Sequence, residues 1–286
     1  MTIHTDLLGT ETYFVETPIG RTRVIEAGEG PALFLLHGGG GHAEAFSRNL
    51  MRLAQGCRAI SLDLLWHGLS SAPAFEDPNW LKQFTRQILE LMDALGIDKA
   101  SVEAESAPGW VPIDMALNHS DRVEKIILNN IWGVQFKPGT VSEHEGSSDN
   151  FLKTSLRALE NPTMDTIRER MRPLFPAGGL TEEIVAVRRA LWSRPATREG
   201  MRGFYEHLFA PETNALQFTE ADVAAIRHPA LVLWSDGNAL NGPDAGERLH
   251  GLIQGSRFHV IENAGQWSQW EQPEEHDRLL LEFLAA

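Results

Sequence analysis

The stretch Ser101-Val-Glu-Ala-Glu-Ser106-Ala-Pro-Gly109 places a serine where a strand turns into a helix. Residues 100–104 have the pattern of a buried strand, and residues 107–118 have a helical pattern. A sharp turn between the two exposes the serine hydroxyl at the carboxyl end of a parallel strand. Pro108 fits the first helical turn, where a missing N–H costs little. The stretch therefore predicts Ser106 as a candidate catalytic residue, and the alternative is a serine that only caps the helix.

The segments on both sides of this turn alternate between strand-like and helix-like patterns. Such alternation is typical of an α/β protein with a mostly parallel sheet and helices on both faces. The eight predicted strands cover residues 13–16, 21–25, 32–36, 58–62, 100–104, 125–128, 230–234 and 258–261. The predicted helices of this region cover residues 43–53, 80–95, 107–118, 244–253 and 274–284.

The alternation stops in the middle of the chain. Residues 131–212 contain helical patterns broken by Pro and Gly and no strand-like run. We expect this segment to be an inserted helical cap, or lid. The predicted core domain then consists of residues 1–130 and 213–286.

Three further motifs accompany the serine turn. The run His37-Gly-Gly-Gly-Gly41 follows a predicted buried strand, and Asp63-Leu-Leu-Trp-His-Gly-Leu-Ser70 follows the next one. Near the end of the chain stands Ala264-Gly-Gln-Trp-Ser-Gln-Trp-Glu-Gln-Pro273. A glycine run after a strand lets backbone N–H groups approach a developing oxyanion. The predicted oxyanion donors are the N–H groups of Gly39, Gly40 and Ala107.

These four segments, in this order, resemble the α/β-hydrolase superfamily over nearly the whole chain. Within it, the His-Gly-Gly-Gly opening, Trp267 and the Gln-Trp-Glu run resemble the meta-cleavage-product hydrolases, which cut a carbon–carbon bond in vinylogous diketo acids. The resemblance implies the α/β-hydrolase fold and a small-molecule substrate. It also implies substrate contacts from Arg188, Trp267 and His37. The alternative for Arg188 is a solvated arginine on a helix face.

The chain departs from this family at two catalytic positions. The family's catalytic histidine is replaced by Gln266, and in Trp234-Ser-Asp-Gly-Asn238 the orienting carboxylate is replaced by Asn238. A carboxamide does not titrate near neutral pH, so Gln266 cannot act as a general base. Loss of one triad member costs on the order of a million-fold in turnover. Gln266 and Asn238 are interpreted as hydrogen-bonding each other, as orienting a substrate, or as maintaining the loops.

Glu105 is the candidate replacement for the missing base. It directly precedes Ser106, and a desolvated carboxylate there would have a raised pKa suited to proton transfer. The alternative is a salt-bridged or solvent-facing residue. Glu103 is two residues earlier on the same face of the predicted strand, although it can also face a helix. His42, His67 and His259 are interpreted as structural.

Composition limits the partners and the location. The chain has 286 residues and a formal net charge of -14. An acidic surface argues against nucleic acid and anionic membranes as partners. The single cysteine, Cys57, excludes an intrachain disulfide. No signal peptide and no membrane-spanning run is visible, so we expect a cytoplasmic protein. We expect no metal and no cofactor, and the resemblance implies a possible homodimer.

Three functions remain open from the sequence. The first is an enzyme with a non-standard site that acts on a small cyclic or unsaturated carbonyl or carboxylate compound, with lyase, isomerase, cyclase or decarboxylase chemistry. In this case Ser106 donates a hydrogen bond rather than attacking. The second is a non-catalytic protein that binds a ligand without turnover. The third is a carbon–carbon or ester hydrolase with a relocated base, such as His259 or His276.

Overall fold

The computed structural model describes residues 2–76, 78–142 and 147–286. Ten strands lie in this part of the chain. In chain order they are β1 (Glu11–Thr17), β2 (Gly20–Ala27), β3 (Ala32–Leu36), β4 (Arg58–Leu62), β5 (Ala100–Glu105), β6 (Val123–Asn129), β7 (Val134–Gln135), β8 (Phe218–Thr219), β9 (Ala230–Ser235) and β10 (Arg257–Ile261). Eight of them form one sheet in the order β1-β2-β4-β3-β5-β6-β9-β10, and β7 pairs separately with β8.

The burial of each strand agrees with its position in the sheet. Every residue of β3, β5 and β9 is buried, as expected for parallel strands covered on both faces. The burial of β1 alternates, and this strand lies at the edge of the sheet, antiparallel to β2. The antiparallel pairs are β1 with β2 and β2 with β4, whereas the remaining pairs of the main sheet are parallel. The prediction of a mostly parallel eight-stranded sheet is confirmed.

Twelve α-helices connect or cover the strands in the described residues. They are α1 (Ile3–Asp6), α2 (Leu50–Leu53), α3 (Lys82–Ala94), α4 (Trp110–Asn118), α5 (Ser147–Glu160), α6 (Met164–Met171), α7 (Glu182–Trp192), α8 (Pro195–Leu208), α9 (Glu220–Ala224), α10 (Pro243–Leu252), α11 (Ser268–Glu271) and α12 (Pro273–Leu284). The β3–β4 and β4–β5 connections run in opposite directions across the sheet. Because such crossovers are right-handed, α2 and α3 lie on opposite faces. Helix α12 packs on α2, and α4 packs on α3.

The carboxyl ends of four neighbouring strands bring the predicted site residues together. The chain leaves β3 into the glycine run, β5 into Ser106, β6 into Asn130 and β9 towards Asn238. Helices α5 to α8 follow β7 and cover this edge, since side chains from α5, α6 and α8 line the same cavity as Ser106. The division into a cap at 131–212 and a core at 1–130 and 213–286 stays a prediction, and residues 143–146 of the cap lie outside the described residues.

The structure differs from the prediction at one helix and adds one strand. Residues 43–53 form a short 3-10 turn at Ala43–Phe46 and the four-residue helix α2, not one helix. The N–H of Ala43 is held by Oδ1 of Asp63, and the following turn closes through i to i+3 bonds such as Ala45 N–H to His42 O. Strand β7 was not predicted, because its two residues pair with β8 more than 80 positions away. Such a short strand depends on its partner and not on its own pattern.

Among the described residues, no helix is both long enough and apolar enough to span a bilayer. The free cysteine Cys57 is buried.

Candidate active site

Ser106 lies at a strained turn between β5 and the 3-10 turn Ala107–Gly109. Its backbone has φ 61° and ψ −133°, a conformation that costs free energy for any residue with a side chain. The turn is fixed by the carbonyl of Ser106, which accepts hydrogen bonds from the N–H groups of Gly109 and Trp132, each at 2.9 Å. The side chain of Ser106 lines a cavity of about 250 Å³. No hydrogen bond to its hydroxyl is found within the described part of the chain.

Glu105 lines the same cavity and is the acidic group beside Ser106. Its side chain is 1% exposed. Oε2 accepts a hydrogen bond from the Gly38 N–H at 2.8 Å, and Oε1 has no partner among the described residues. Burial raises the pKa of Glu105 to about 7, although the Gln266 side chain, the Gly38 N–H and the charge of Arg188 act to lower it. The salt-bridged and solvent-facing alternatives for Glu105 are wrong.

Glycine at position 38 allows this contact. A Cβ at Gly38 would lie 2.5 Å from Oε2 of Glu105, closer than Cβ atoms come to other heavy atoms in real structures. The backbone therefore reaches the carboxyl group only because residue 38 has no side chain.

The N–H groups of the glycine run differ in what they bind. Gly38 donates to Glu105, Gly40 donates to Nε2 of His67 at 3.0 Å, and Gly41 donates to the Gly38 carbonyl at 2.8 Å. The N–H groups of Gly39 and Ala107 have no acceptor within the described ranges, and both residues line the cavity. The prediction of Gly40 as an oxyanion donor is therefore wrong, because its N–H already donates to His67. The role of Gly39 and Ala107 stays a prediction.

His37 does not contact the cavity, which corrects its predicted role in substrate binding. It is completely buried, its Nδ1 donates to the Gly38 carbonyl at 2.9 Å, and its Nε2 accepts from the N–H of Leu64 at 3.2 Å. Burial lowers the pKa of His37 to about 3, so the ring is neutral near pH 7. Since both ring nitrogens bind backbone groups, His37 fixes the glycine run in place.

Gln266 and Asn238 are joined through a third residue, Asn130. Nε2 of Gln266 donates to the backbone carbonyl of Asn130 at 2.9 Å, and Nδ2 of Asn238 donates to its side-chain Oδ1 at 3.0 Å. Oδ1 of Asn238 accepts from the N–H of Leu240 at 2.8 Å. A direct hydrogen bond between Gln266 and Asn238, one of the three sequence interpretations, is therefore absent from the described structure. Gln266 lines the cavity, and its Oε1 has no partner among the described residues.

Asn130 was not predicted as a site residue from the sequence. Its backbone has φ 46°, in the left-handed region, and its Nδ2 donates to Oγ of Ser235 at 2.8 Å. The available signal was an asparagine directly after a buried strand, because asparagine adopts this conformation more readily than most residues. Asn130 is the residue that holds the loops after β6, β9 and β10 together.

No histidine of the described chain lines the cavity. His276 is buried in α12, where its Nε2 lies 2.7 Å from Oε1 of Glu103 and its Nδ1 lies 2.9 Å from Oδ1 of Asp277. Burial lowers the pKa of His276, but these two carboxylates raise it to about 10. Glu103 therefore faces helix α12, which is one of the two orientations that the sequence left open. His259 pairs with Glu275 away from the site, at 2.7 Å.

His42 is a buried histidine in contact with Trp267. Its Nδ1 lies 2.9 Å from Oε2 of Glu44, and its Nε2 has no partner among the described residues. Its ring meets the indole of Trp267 edge-on with centroids 6.5 Å apart. Trp267 itself lines the cavity, as predicted for a substrate-binding residue, whereas His42 does not.

Arg188 is completely buried in α7, so the alternative of a solvated helix-face arginine is wrong. Its guanidinium lies over the rings of Trp267 and Trp192, at 5.2 Å and 5.7 Å from the centroids. Trp267 lines the cavity, whereas Arg188 itself is not among the lining residues. All three of its side-chain nitrogens lack a hydrogen-bond partner within the described residues. Burial lowers the pKa of Arg188 to about 10, which leaves it charged near neutral pH. A buried cation without a partner is costly, and an anionic ligand group would satisfy it.

Nine of the seventeen described residues that line the cavity lie in residues 131–212, and six of these nine are Trp, Phe or Leu. Tyr205 also lines the cavity, together with Arg170, a polar residue that was not predicted from the sequence. The complete lining is Gly39, Glu105, Ser106, Ala107, Trp132, Asp149, Phe151, Leu152, Arg170, Leu174, Tyr205, Leu208, Phe209, Asn214, Leu240, Gln266 and Trp267. No group of three or more metal-ligating side chains occurs in the residues that the structure describes.

The chain is similar to known proteins over most of its length. The family model described as alpha/beta hydrolase fold matches residues 31–273. A 2-hydroxy-6-oxononadienedioate/2-hydroxy-6-oxononatrienedioate hydrolase 2 from Pseudomonas putida is 30% identical over 268 residues, which cover 91% of this chain and 90% of the relative. A 2-hydroxy-6-oxo-6-phenylhexa-2,4-dienoate hydrolase from Comamonas testosteroni is 29% identical over 270 residues, which cover 91% of this chain and 89% of the relative.

The solved structures agree in fold. A 2-hydroxy-6-oxo-6-phenylhexa-2,4-dienoate hydrolase from Rhodococcus sp. strain RHA1 has a TM-score of 0.81 and 23% sequence identity, and the match covers 97% of this chain and 100% of that chain. The relatives named above are enzymes, which supports the interpretation of this chain as an enzyme.

Proposed function

The chain belongs to the alpha/beta hydrolase fold family and is close to the meta-cleavage-product hydrolases, and we propose that it hydrolyses a small carbonyl compound bearing a carboxylate, with Glu105 as the base. The relatives named above are carbon–carbon bond hydrolases, and this agrees with hydrolysis more than with lyase, isomerase, cyclase or decarboxylase chemistry. In this proposal the general base is the carboxylate of Glu105, next to Ser106, and not a histidine at another position of the chain.

The environment of Glu105 is the observation that carries this proposal. Glu105 and Ser106 line one cavity, and Oε1 of Glu105 has no partner in the described chain. Burial raises the pKa of Glu105 to about 7, close to neutral pH. Proton transfer is most effective when the pKa of the catalytic group lies near the operating pH. Gln266 cannot take this role, because a carboxamide does not titrate there.

A sequence of proton transfers follows from these positions. The substrate carbonyl oxygen points to the N–H groups of Gly39 and Ala107, which stabilise the oxyanion as it forms. Glu105 accepts the proton of the nucleophile, either the Ser106 hydroxyl or a water, as the new carbon–oxygen bond forms. It returns this proton to the departing group when the scissile bond breaks. On the Ser106 route, Glu105 then accepts a proton from a water that attacks the acyl-serine ester, and it returns this proton to the Ser106 oxygen as the carboxylic acid is released. The carboxylate of the substrate pairs with Arg188, and Gln266 and Asn238 keep the loops in place through Asn130.

One observation favours a second candidate function, the binding of a ligand without turnover. The Ser106 hydroxyl has no hydrogen-bonded base among the described residues, so nothing in this conformation activates it as in a Ser-His-Asp triad. A protein of this kind would bind a carboxylate at Arg188 and release it unchanged.

The experiment uses 2-hydroxy-6-oxo-6-phenylhexa-2,4-dienoate and p-nitrophenyl acetate as test substrates, with wild type, Glu105→Gln and His42→Gln. We expect Glu105→Gln to lower kcat/KM by roughly a hundredfold or more. In the wild type kcat/KM should fall as the pH drops through about 7, because a protonated Glu105 cannot accept a proton. Glu105→Gln should lose this ionisation, and His42→Gln should retain it.

Two results would contradict the proposal. Turnover that is unchanged in Glu105→Gln would exclude Glu105 as the base. A carboxylate that shifts the melting temperature, without turnover of either substrate and without labelling of Ser106 by a fluorophosphonate, would favour the ligand-binding function instead.

A further inference from the structure

The carbonyl of Gly39 is held by a tyrosine of the predicted cap. Tyr205 lies in α8 and is 1% exposed, and its hydroxyl donates a hydrogen bond to this carbonyl at 3.3 Å. The same hydroxyl accepts from Nη2 of Arg170 at 3.2 Å, and Nε of Arg170 donates to Oγ of Ser155 at 2.5 Å. Hydrogen bonds in such a chain polarise and strengthen one another. A buried chain of hydrogen bonds therefore runs from α5 and α6 through α8 to the glycine run.

The N–H of Gly39 belongs to a peptide group whose carbonyl is fixed. That carbonyl, of Gly38, accepts from Nδ1 of His37 at 2.9 Å and from the N–H of Gly41 at 2.8 Å. The N–H and the carbonyl of one trans peptide group point in opposite directions. The Gly39 N–H has no acceptor in the described chain, and Gly39 lines the cavity. Bonds on the far side of the peptide group therefore determine the direction of this free N–H.

The next peptide group is fixed at both ends, and Tyr205 supplies one of the two bonds. The Gly40 N–H donates to Nε2 of His67 at 3.0 Å, and the Gly39 carbonyl accepts from Tyr205. Burial lowers the pKa of His67 well below its ordinary value, so the ring is neutral and Nε2 accepts. Gly40 has φ 79°, and a Cβ there would collide with the hydroxyl of Tyr205. Because the two peptide groups share the Cα of Gly39, a displacement of this carbonyl also displaces the Gly39 N–H.

Helix α8 is packed closely enough on neighbouring segments to hold Tyr205 in place. A Cβ at Gly203 would lie 2.7 Å from the ring of Phe75, so the helix backbone approaches that ring directly. Phe204 meets the ring of His67 edge-on, with centroids 4.7 Å apart. Two adjacent residues of α8 thus contact the two groups that fix this peptide, Phe204 the imidazole and Tyr205 the carbonyl.

We propose that Tyr205 is a positioning residue that keeps the N–H of Gly39 directed into the cavity through its hydrogen bond to the Gly39 carbonyl. The inference rests on the proposed function, in which this N–H stabilises the oxyanion. It adds a role for α8, which completes the oxyanion hole as well as covering the site. An interaction that strengthens only as the oxyanion forms affects kcat more than KM.

The kinetic test uses p-nitrophenyl acetate with wild type, Tyr205→Phe and Tyr13→Phe. Tyr205→Phe keeps the buried ring and removes only the hydroxyl. We expect kcat to fall about tenfold, as the loss of one hydrogen bond implies, and KM to change less than about twofold. Tyr13, the other tyrosine of the chain, donates to Oε2 of Glu26 at 2.7 Å in β1. Tyr13→Phe should therefore keep the wild-type kcat and KM.

Amide hydrogen exchange tests the same contact without turnover. It is measured by mass spectrometry on peptides that contain residues 37–41, with peptides from β3 and α8 as references. In Tyr205→Phe we expect the glycine run to exchange at least about fivefold faster, because the peptide group after Gly39 loses one of its two bonds. The references should keep their wild-type rates, and Tyr13→Phe should leave the glycine run unchanged.

Three results would overturn the inference. They are an unchanged kcat in Tyr205→Phe, equal exchange of the glycine run in Tyr205→Phe and wild type, and an acceleration that is as large in β3 and α8. The last result would mean that the hydroxyl only stabilises the fold.

The two measurements separate this inference from the proposed function. If turnover is unchanged in Glu105→Gln, the base is refuted, and a lower kcat at constant KM in Tyr205→Phe still supports Tyr205 as a positioning residue. If wild type turns over neither test substrate, the proposed function fails and the exchange measurement decides on Tyr205 alone.

Discussion

The side-chain amide of Asn238 donates a hydrogen bond to Oδ1 of Asn130 at 3.0 Å. Asn238 also accepts from the N–H of Leu240 with its own Oδ1, so both polar atoms of its side chain are occupied. Gln266 is bound to the backbone of the same Asn130. Asn130 therefore connects the two amides, and the two positions act as parts of a loop scaffold centred on it.

Replacement of Asn130 by alanine should destabilise the protein by about 3 kcal/mol or more. The variant loses the acceptor for the buried N–H of Ser235 and for the Asn238 amide, and each unsatisfied buried group costs about 1 to 3 kcal/mol. The measurement is urea unfolding. Asn263→Ala is the matched control, because Asn263 also has a positive φ, 55°, but is exposed. Equal losses in the two variants would mean that backbone strain alone explains the effect.

The stability of the wild type should fall with rising pH because of Glu105. Its pKa is raised by burial from an ordinary value of 4.5 to about 7, so the folded state binds the proton more tightly than the unfolded state. The stabilisation is fully present below about pH 4.5 and is lost as the pH rises through 7. Relative to Glu105→Gln, the wild type should lose on the order of 3 kcal/mol between pH 4 and pH 8.

Urea unfolding of both proteins across this pH range measures the difference. The exposed residue Glu124 provides the control, and Glu124→Gln should follow the wild-type curve. Parallel curves for wild type and Glu105→Gln would show that the carboxyl group is not perturbed.

Arg188→Met should raise the stability of the ligand-free protein by about 1 kcal/mol or more. A side chain of similar length without charge removes an unpaired buried cation. The same variant should lose the binding of hexanoate, because the carboxylate then has no cation to pair with. Arg189→Met, at the exposed neighbouring position of α7, should change neither property. Thermal unfolding and calorimetry give the two readouts, and retained binding in Arg188→Met would place the carboxylate elsewhere.

Gly38→Ala should impair turnover through Glu105. The added Cβ lies 2.5 Å from Oε2 of Glu105, and the carboxyl group, at the end of a flexible side chain, has to move. A displacement of about 1 Å at a catalytic group can cost roughly a hundredfold in rate. Gly251→Ala is the control, because a Cβ there meets nothing within 4 Å and alanine favours the helix. Full activity in Gly38→Ala would argue against a positioned carboxyl group.

Much of the fold was predictable from the sequence because it depends on local pattern. The buried runs of β3, β5 and β9 and the glycine run after β3 all lie where apolar periodicity and motif order placed them. The short strand β7 and the break between the 3-10 turn Ala43–Phe46 and α2 were not predictable in this way. Both depend on contacts with distant residues, the first with β8 and the second with Asp63.

The sequence predicted which residues belong to the candidate site better than it predicted their contacts. Ser106, Glu105, Gln266 and Trp267 line one cavity, as the motif positions implied. His37 and Gly40 were assigned to the ligand but bind the protein itself. Motif matching identifies the backbone position, whereas the direction of an N–H group or a ring depends on the neighbouring loop.

The sequence by itself determined the fold class, the serine at the strand–helix turn and the absence of a titratable group at position 266, since these depend on residue type and order along the chain. Only the tertiary structure decided that Glu105 is buried, that Arg188 is a buried cation without a hydrogen-bond partner among the described residues, and that Asn130 connects Gln266 with Asn238. Burial and hydrogen-bond partners arise when residues far apart in sequence meet. Desolvation, which sets both the pKa of Glu105 and the need for anionic partners, is a property of that assembled environment.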